Sequence, residues 1–414
     1  MKVALVGGSA PSTPQLLIEP SLARDPRLGF TLHGRSQARL GMVQRAAVTL
    51  EPALAGKVET TTDLADAITD ADVVIVQVRV GGLAARAHDE CFPLASGVPG
   101  DEGLGPGGLA AAWRNWPAVA EVLACVAKRN PGAAVAILTA PLGLLLGCAR
   151  EAFPALDVVG LCELPTVVLG EIRLALGQAE GLTYAYTGIN HLGWFTQLSI
   201  DARDALDDYA ATRTTDDYPT ASDVRAARAV PLPYVRLHDQ RENVVAMQRA
   251  RAARGTVLGE IAASAYEAFD GGDETAIRAA LARRPAPWYR RAVAPWIAAR
   301  RDGTSAEEFF LTTRNAGYLR HVCAGAIVEV PHRVGGGAFI PREPPPDAPA
   351  RIARTLESLI AYETLAAEVV VRREASQVAG VLATHPWVAS NAAAPLARGV
   401  LEDWAAANVA TGPV

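Results

Sequence analysis

Short apolar runs recur along the first 160 residues, at KVALV (2–6), LGFTLHG (28–34), KVETT (57–61), DVVIVQVR (72–79), AAVAILTA (133–140) and DVVGL (157–161). Most are apolar at consecutive positions, without polar alternation, which is the pattern of strands covered on both faces of a parallel sheet. Helical periodicity separates most of them, first from about Pro14 and then over SQARLGMVQRAAV. Strands alternating with helices predict an α/β fold, a Rossmann-like doubly wound sheet over residues 1–160. After residue 160 the pattern changes. LTYAYTGINHLGWFTQLSI reads as antiparallel strands turning at the histidine, and the polar stretch 201–225 reads as exposed. Helices are then expected to about 313, a strand over 325–334, a connector at PREPPPDAP and a mostly helical tail over 347–408. Residues 161–414 are therefore expected to form a mixed α+β C-terminal domain.

At 414 residues the chain exceeds the size at which one core stops growing, so two domains are the natural division. The net charge of -5 gives no basic footprint for nucleic acid. No apolar stretch reaches the ~20 residues of a membrane helix. The opening MKVALVGG reads as a strand entering a glycine turn and not as a signal peptide. Five cysteines without a CxxC pair argue against a disulfide scaffold and for a reducing compartment, so a cytoplasmic location is expected.

Candidate chemistry lies where strands end. Gly7, Gly8 and Ser9 join the first strand to a helix, the place where a pyrophosphate meets backbone amides. The second strand ends His33-Gly34-Arg35-Ser36, without the carboxylate that holds a ribose 2′-hydroxyl. Arg35 and Ser36 suit a 2′-phosphate, or are merely solvated; both NAD and NADP stay open. Arg79 follows the fourth strand, with Arg86 and Glu90 four residues apart beyond it. Arginine there suits an anionic or hydroxyl-rich substrate, although Arg86 and Glu90 also read as a plain helix ion pair. SGVPGDEGLGPGGLAAAWR (96–114) reads as a glycine-rich loop or lid in which Asp101 and Glu102 are acid, base or metal-shell candidates. Cys162 and His191 combine a thiolate with an imidazole, a donor set for a divalent transition metal.

Taken together, VGGSAPSTPQLL, QVRVGGLAAR, GPGG, TAPLG, GLCELP, GINHLGW, RNAG with VEVP, and ATHPWV resemble the NAD- and manganese-dependent family 4 glycoside hydrolases, in family order over nearly the whole chain. The step of 29 residues from Cys162 to His191 also fits that family's metal pair. The resemblance implies a C-terminal architecture like that of lactate dehydrogenase, with residues 161–414 carrying substrate, metal and oligomer contacts. It implies a redox elimination: oxidation at sugar C3, removal of the C2 proton, departure of the C1 group, addition of water and return of the hydride. Implied dinucleotide contacts are Gly7, Gly8, Ser9, Ser12, Thr13, Arg35, Ser36 and Gln77. Metal ligands are Cys162 and His191, holding Mn2+ or another divalent ion. Substrate contacts are Arg79, Arg86, Glu102, Ala140, Glu163 and Asn190. The base falls on Tyr234, the one tyrosine left in PLPYVRLH; with an ordinary pKa near 10 it needs a cation nearby. The implied partners are a small carbohydrate and further copies of the chain, as homodimer or homotetramer.

Several substrate-facing positions depart from the family pattern. GQETTG is replaced by Gly100-Asp101-Glu102-Gly103-Leu104-Gly105, the Asn of the NP loop by Ala140, the Asn of GLCN by Glu163, and RGGAxY by Arg284-Pro285-Ala286-Pro287-Trp288-Tyr289. These changes imply a rebuilt pocket. They leave open a sugar dehydrogenase, epimerase or eliminase on the same scaffold, and also a dinucleotide-binding sensor without catalysis.

Overall fold

The computed structural model describes residues 1–214 and 217–402. Its strands are β1 (Lys2–Val6), β2 (Gly29–His33), β3 (Val58–Thr61), β4 (Val73–Val76), β5 (Ala134–Ile137), β6 (Val158–Leu161), β7 (Leu182–Ile189), β8 (Leu192–Ile200), β9 (Arg203–Asp204), β10 (Val230–Pro231), β11 (Ser305–Arg314), β12 (Ile327–Gly335) and β13 (Ala338–Pro341). Nine of them form one sheet in the order β13-β12-β11-β6-β5-β4-β1-β2-β3. The six strands from β3 to β6 are parallel, as their two-sided apolar runs require. β11 then joins the edge of β6 antiparallel, pairing Leu311 with Leu161 and Thr312 with Gly160. The later half of the chain thereby completes the sheet begun by the first.

Two apolar cores lie against this sheet. One packs Val74, Val76 and Val135 with Leu109, Trp116 and Leu123 of helix Gly105–Arg129, and with helices Leu142–Ala152 and Ala350–Arg372. The other packs Leu5, Leu32 and Ile75 with helix Gln37–Leu50 and with the later helices Arg254–Gly271, Glu274–Ala282 and Ala294–Asp302. Trp296 of the last helix is fully buried there, and its truncation to alanine would cost about 3–5 kcal/mol. A smaller antiparallel sheet, β10-β8-β7 with β9 on β8, carries the histidine turn.

Some expectations need correcting. The helical reading to about 313 fails from Ser305, because the aromatic and β-branched run in SAEEFFLTTR fits a half-buried strand. The glycine-rich stretch at 96–114 is a loop only to Leu104; Gly105 opens a helix of 25 residues. Its glycines serve packing: a Cβ on Gly107 would lie 2.3 Å from the Asp89 carbonyl oxygen. The stretch 201–225 is not wholly exposed, since Leu206, Tyr209 and Val224 of two short helices are buried, while positions 215 and 216 lie outside the described residues. β13 has no counterpart in the sequence reading. The tail is helical over Ala350–Arg372, Val378–Thr384 and Ala393–Leu401, and its expected extension over 403–408 lies outside the described residues.

Candidate functional site

The carboxyl ends of β1, β4, β5 and β6 share one edge, where ligands bind in open α/β sheets. After β1 the chain turns through Gly7 at φ +89°, a conformation that favours glycine. The amides of Gly7 and Gly8 both donate to the His33 carbonyl, at 3.0 and 2.8 Å, and so tie the turn to the end of β2. The pair therefore serves close backbone approach: a Cβ on Gly7 would sit 2.8 Å from the Gln77 carbonyl oxygen. Gln77, just past β4, donates through Nε2 to the Gly7 carbonyl (3.2 Å) and to Thr13 Oγ1 (3.0 Å). The buried Tyr289 donates to Gln77 Oε1 at 2.7 Å and lies 3.4 Å from Ser12 Oγ. Ser12, Thr13 and Gln77 are thus gathered by a tyrosine that sequence reading mentioned only inside a divergent segment. Its neighbours carry no pattern that distinguishes it from a packing aromatic.

Arg79 and Arg86 converge on one carboxylate. Arg79 pairs with Glu102 through both guanidinium nitrogens, and Arg86 Nη1 lies 2.7 Å from Glu102 Oε1. Arg86 also binds Glu90 (2.7 Å), whose other oxygen accepts from the Gly255 amide at 2.8 Å. The helix pair and the substrate reading of Arg86 therefore coexist. Although burial opposes it, the two arginines hold the Glu102 carboxyl down at about 2. Burial, and the amide of Gly103 only partly against it, pushes neighbouring Asp101 up to about 7. Burial together with Arg86 and Arg79 brings Arg284 down to about 10, so cationic groups crowd this part of the site. Ala140 caps β5 beside a cis bond to Pro141, and its carbonyl accepts from Asn115 Nδ2 at 3.0 Å. Asn115 Oδ1 accepts from the Val80 amide at 2.8 Å, so one buried side chain fixes the loops after β4 and β5 together.

Cys162 follows β6 and is buried. His191 sits in the tight turn between β7 and β8 at φ +69°, an uncommon conformation for a residue with a Cβ. Gly193 is dictated by Tyr186, whose hydroxyl a Cβ there would strike, and Gly188 by the facing backbone of Gly193. That hydroxyl donates to Glu329, buried on β12. The Tyr186–Glu329 pair was missed because the two residues are far apart in sequence and meet only through the fold. Tyr234 stacks on His191, with ring centroids 4.3 Å apart and an angle of 21°. Arg86 pulls its hydroxyl toward ionisation, but burial and Asp101 push it well above the usual tyrosine range. Glu163, beside Cys162, receives the thiol at 4.0 Å, and burial raises its carboxyl.

The groups around Cys162 and His191 suit a divalent cation in their protonation and burial. Burial, then Glu163 and Glu329, push the Cys162 thiol up, and burial pushes the Glu329 carboxyl up to about 8. Burial holds His191 down at about 4, so its imidazole is neutral, the form that ligates metal. His191 Nδ1 is buried without a hydrogen-bond partner, and the Asn190 side chain lies beside Cys162 and Glu329. A buried thiol and carboxyl pushed toward their protonated forms, beside a neutral imidazole with an unpartnered nitrogen, fit a missing positive charge. Among the described residues no group of three or more His, Cys, Asp or Glu side chains is placed to hold a metal. Cys162 and His191 alone would leave positions open for substrate oxygens, as a catalytic site needs.

Fold and site together define an α/β protein whose glycine turn, arginine cluster and Cys162–His191 region gather along one edge of a mostly parallel sheet. The sequence profile of the Family 4 glycosyl hydrolases matches residues 2–178, and that of the Family 4 glycosyl hydrolase C-terminal domain matches residues 186–388. The chain belongs to family 4 of the glycosyl hydrolases. It is 30% identical over 219 residues to 6-phospho-alpha-glucosidase 1 of Lacticaseibacillus paracasei, and that match spans about half the length of either protein (50% of each). It is 26% identical to a 6-phospho-beta-glucosidase of Thermotoga maritima over 353 residues, 81% of this chain and 82% of that one. A solved structure of the 6-phospho-beta-glucosidase from Thermotoga maritima, with manganese, NAD+ and glucose-6-phosphate, superimposes with a TM-score of 0.87 at 23% identity, covering 99% of this chain and 98% of the other. Lactate dehydrogenase of Cryptosporidium parvum shares the fold more loosely, with a TM-score of 0.51 at 14% identity over 89% of this chain and 97% of the other.

Proposed function

We propose that this chain is a dinucleotide- and divalent-metal-dependent glycosidase that breaks an O-glycosidic bond by oxidation and elimination, with no net redox change. The observation that carries the reading is the placement of Cys162, His191, Tyr234 and the Arg79–Glu102–Arg86 cluster beside the ligand edge of the sheet that also bears the Gly7 turn. When bound, the dinucleotide would supply hydride acceptance and return at C3, and the metal would supply polarisation of the C2 and C3 oxygens. Cys162 and His191 would hold the metal, with Asn190 and Glu163 beside them. Tyr234 holds its proton until positive charge is added nearby, and its hydroxyl is assigned to the C2 proton. Ser12, Thr13 and Gln77 would position the dinucleotide, and the turn at Gly7, Gly8 and Ser9 would let its pyrophosphate approach.

Arg86, Arg79 and Arg254 all act on Arg284 beside Glu102, a concentration of guanidiniums that supports a sugar carrying an anionic substituent. The phosphorylated substrates named for the relatives agree with that charge. Family membership favours the glycosidase over the dehydrogenase, epimerase, eliminase and sensor readings. The division at 160/161 is kept as one of function, the earlier part for the dinucleotide and the later for substrate and metal. A homodimer or homotetramer in the cytoplasm completes the reading.

The test is aglycone release from aryl glucosides and aryl 6-phosphoglucosides of both anomers, with Mn2+ and a catalytic amount of dinucleotide. Phenol should accumulate over many turnovers without net reduction of dinucleotide, and a chelator should stop it. Stoichiometric dinucleotide reduction without phenol release would establish a dehydrogenase instead.

A further inference from the structure

We propose that this chain discriminates between dinucleotides in favour of the one carrying a 2′-phosphate, and that Arg35 is the residue that does so. The inference rests on the dinucleotide reading of the Gly7 turn, and it concerns the end of β2, where the adenosine ribose lies in a fold of this type.

A carboxylate at that point accepts a hydrogen bond from a ribose 2′-hydroxyl and repels a 2′-phosphate. β2 instead ends His33-Gly34-Arg35-Ser36. Gly34 brings this exit against the glycine turn, since a Cβ there would lie 3.0 Å from Ser9 Oγ. Arg35 is exposed. Ser36 caps the following helix of 14 residues, its hydroxyl accepting from the Arg39 amide at 3.3 Å, and that helix has no acidic residue in its first turn. One turn on, the Arg39 guanidinium lies 5.1 Å over the ring of Tyr266. Tyr266 donates to the Ser9 carbonyl at 2.8 Å, so Arg39 is also held beside the turn. The acidic group facing His33 from the next strand's exit is Asp63, and its carboxylate accepts from the Ala65 and Asp66 amides at 2.7 and 3.2 Å. Glu121 acts on His33 from the helix packed beneath.

The end of β2 thus carries Arg35, Arg39 over Tyr266 and a helix N-terminus, which favour an anion, while the Asp63 carboxylate is already bound to two backbone amides. A 2′-hydroxyl would find no carboxylate acceptor at the end of β2. A 2′-phosphate would find the Arg35 fork, which matches phosphate geometry. The solved relatives from Thermotoga maritima hold NAD or NAD+, so this preference would separate the chain from them.

Calorimetric titration of the full chain with NAD+, NADP+, 2′,5′-ADP and 5′-AMP tests this without reference to turnover. NADP+ should bind about tenfold or more tightly than NAD+, and 2′,5′-ADP more tightly than 5′-AMP by a similar factor. Arg35→Ala should collapse both ratios toward one, and Arg35→Asp should invert the first. The preference should also shrink as salt is raised. Arg35 is exposed, so both variants should melt like the parent. Equal or tighter binding of NAD+ by the parent, or a ratio unmoved by Arg35→Asp, overturns the inference and leaves the proposed function standing. Binding of neither dinucleotide overturns both.

Discussion

At the scale of single residues, the site joins groups that have little to recommend them separately. Tyr234 is one aromatic among many in the sequence, and its stacking on His191 gives it a chemical setting. That setting also favours the protonated hydroxyl, so under the proposed mechanism it would need positive charge brought close to serve as a base. Tyr234→Phe retains the ring that stacks and removes only the hydroxyl. We expect aglycone release to fall by about 10²–10⁴-fold, with dinucleotide affinity unchanged in a binding titration. An active phenylalanine variant would assign the proton transfer to another group, with Asp101 the nearest alternative. Cys162→Ser should weaken Mn2+ binding, followed by the metal's electron paramagnetic resonance signal, while leaving the melting curve of the metal-free chain close to the parent's. Undiminished Mn2+ affinity in that variant would remove Cys162 from the metal site.

At the scale of elements, helix Ala350–Arg372 packs against an element that begins beside the site. It lies against helix Leu142–Ala152, which starts at the loop after β5, and Glu363 points between them. A Cβ on Gly143 would lie 3.0 Å from Glu363 Oε2, an atom shielded from solvent and without a hydrogen-bond partner. Burial pushes this carboxyl from 4.5 up to about 8. Between those values the folded chain keeps a proton that the unfolded chain releases, so the residue's contribution to stability falls as pH rises and is lowest above about 8. Glu363→Gln should therefore raise stability by roughly 1–3 kcal/mol at pH 9 and change it little at pH 4, as read from thermal midpoints. A gain independent of pH would show that the carboxyl is not buried in its charged form at high pH.

At the scale of the whole molecule, the parallel strands were legible because a sheet covered on both faces leaves unbroken apolar runs. The turn at His191 was legible because two alternating strands meet at Asn190-His191. β11 was not, since Phe309, Phe310 and Leu311 in one buried run fit a helix as well as a strand, and only pairing with β6 decides it. Glu102 could be picked out as a candidate, but its two arginine partners depend on the meeting of two loops. Tyr289, Tyr186 and Glu329 escaped notice because contacts across more than 100 residues leave no local mark. The shared sheet also predicts that residues 1–160 do not fold alone. β6 would be left as a bare edge and the helices from Arg254 to Asp302 would be missing from one face. That fragment should be insoluble or aggregate on expression, and a soluble monomer with a cooperative melt would contradict this. The same continuity has a geometric consequence. The exits of β1 and β6 are three strand steps apart, about 14 Å at the usual interstrand spacing. The sheet is a ruler between the Gly7 turn and Cys162, graduated by the exits of β4 and β5, where Arg79 and Ala140 stand. Evolution of the loops can change what stands between those marks, while the distance from the Gly7 turn to Cys162 stays fixed in the backbone.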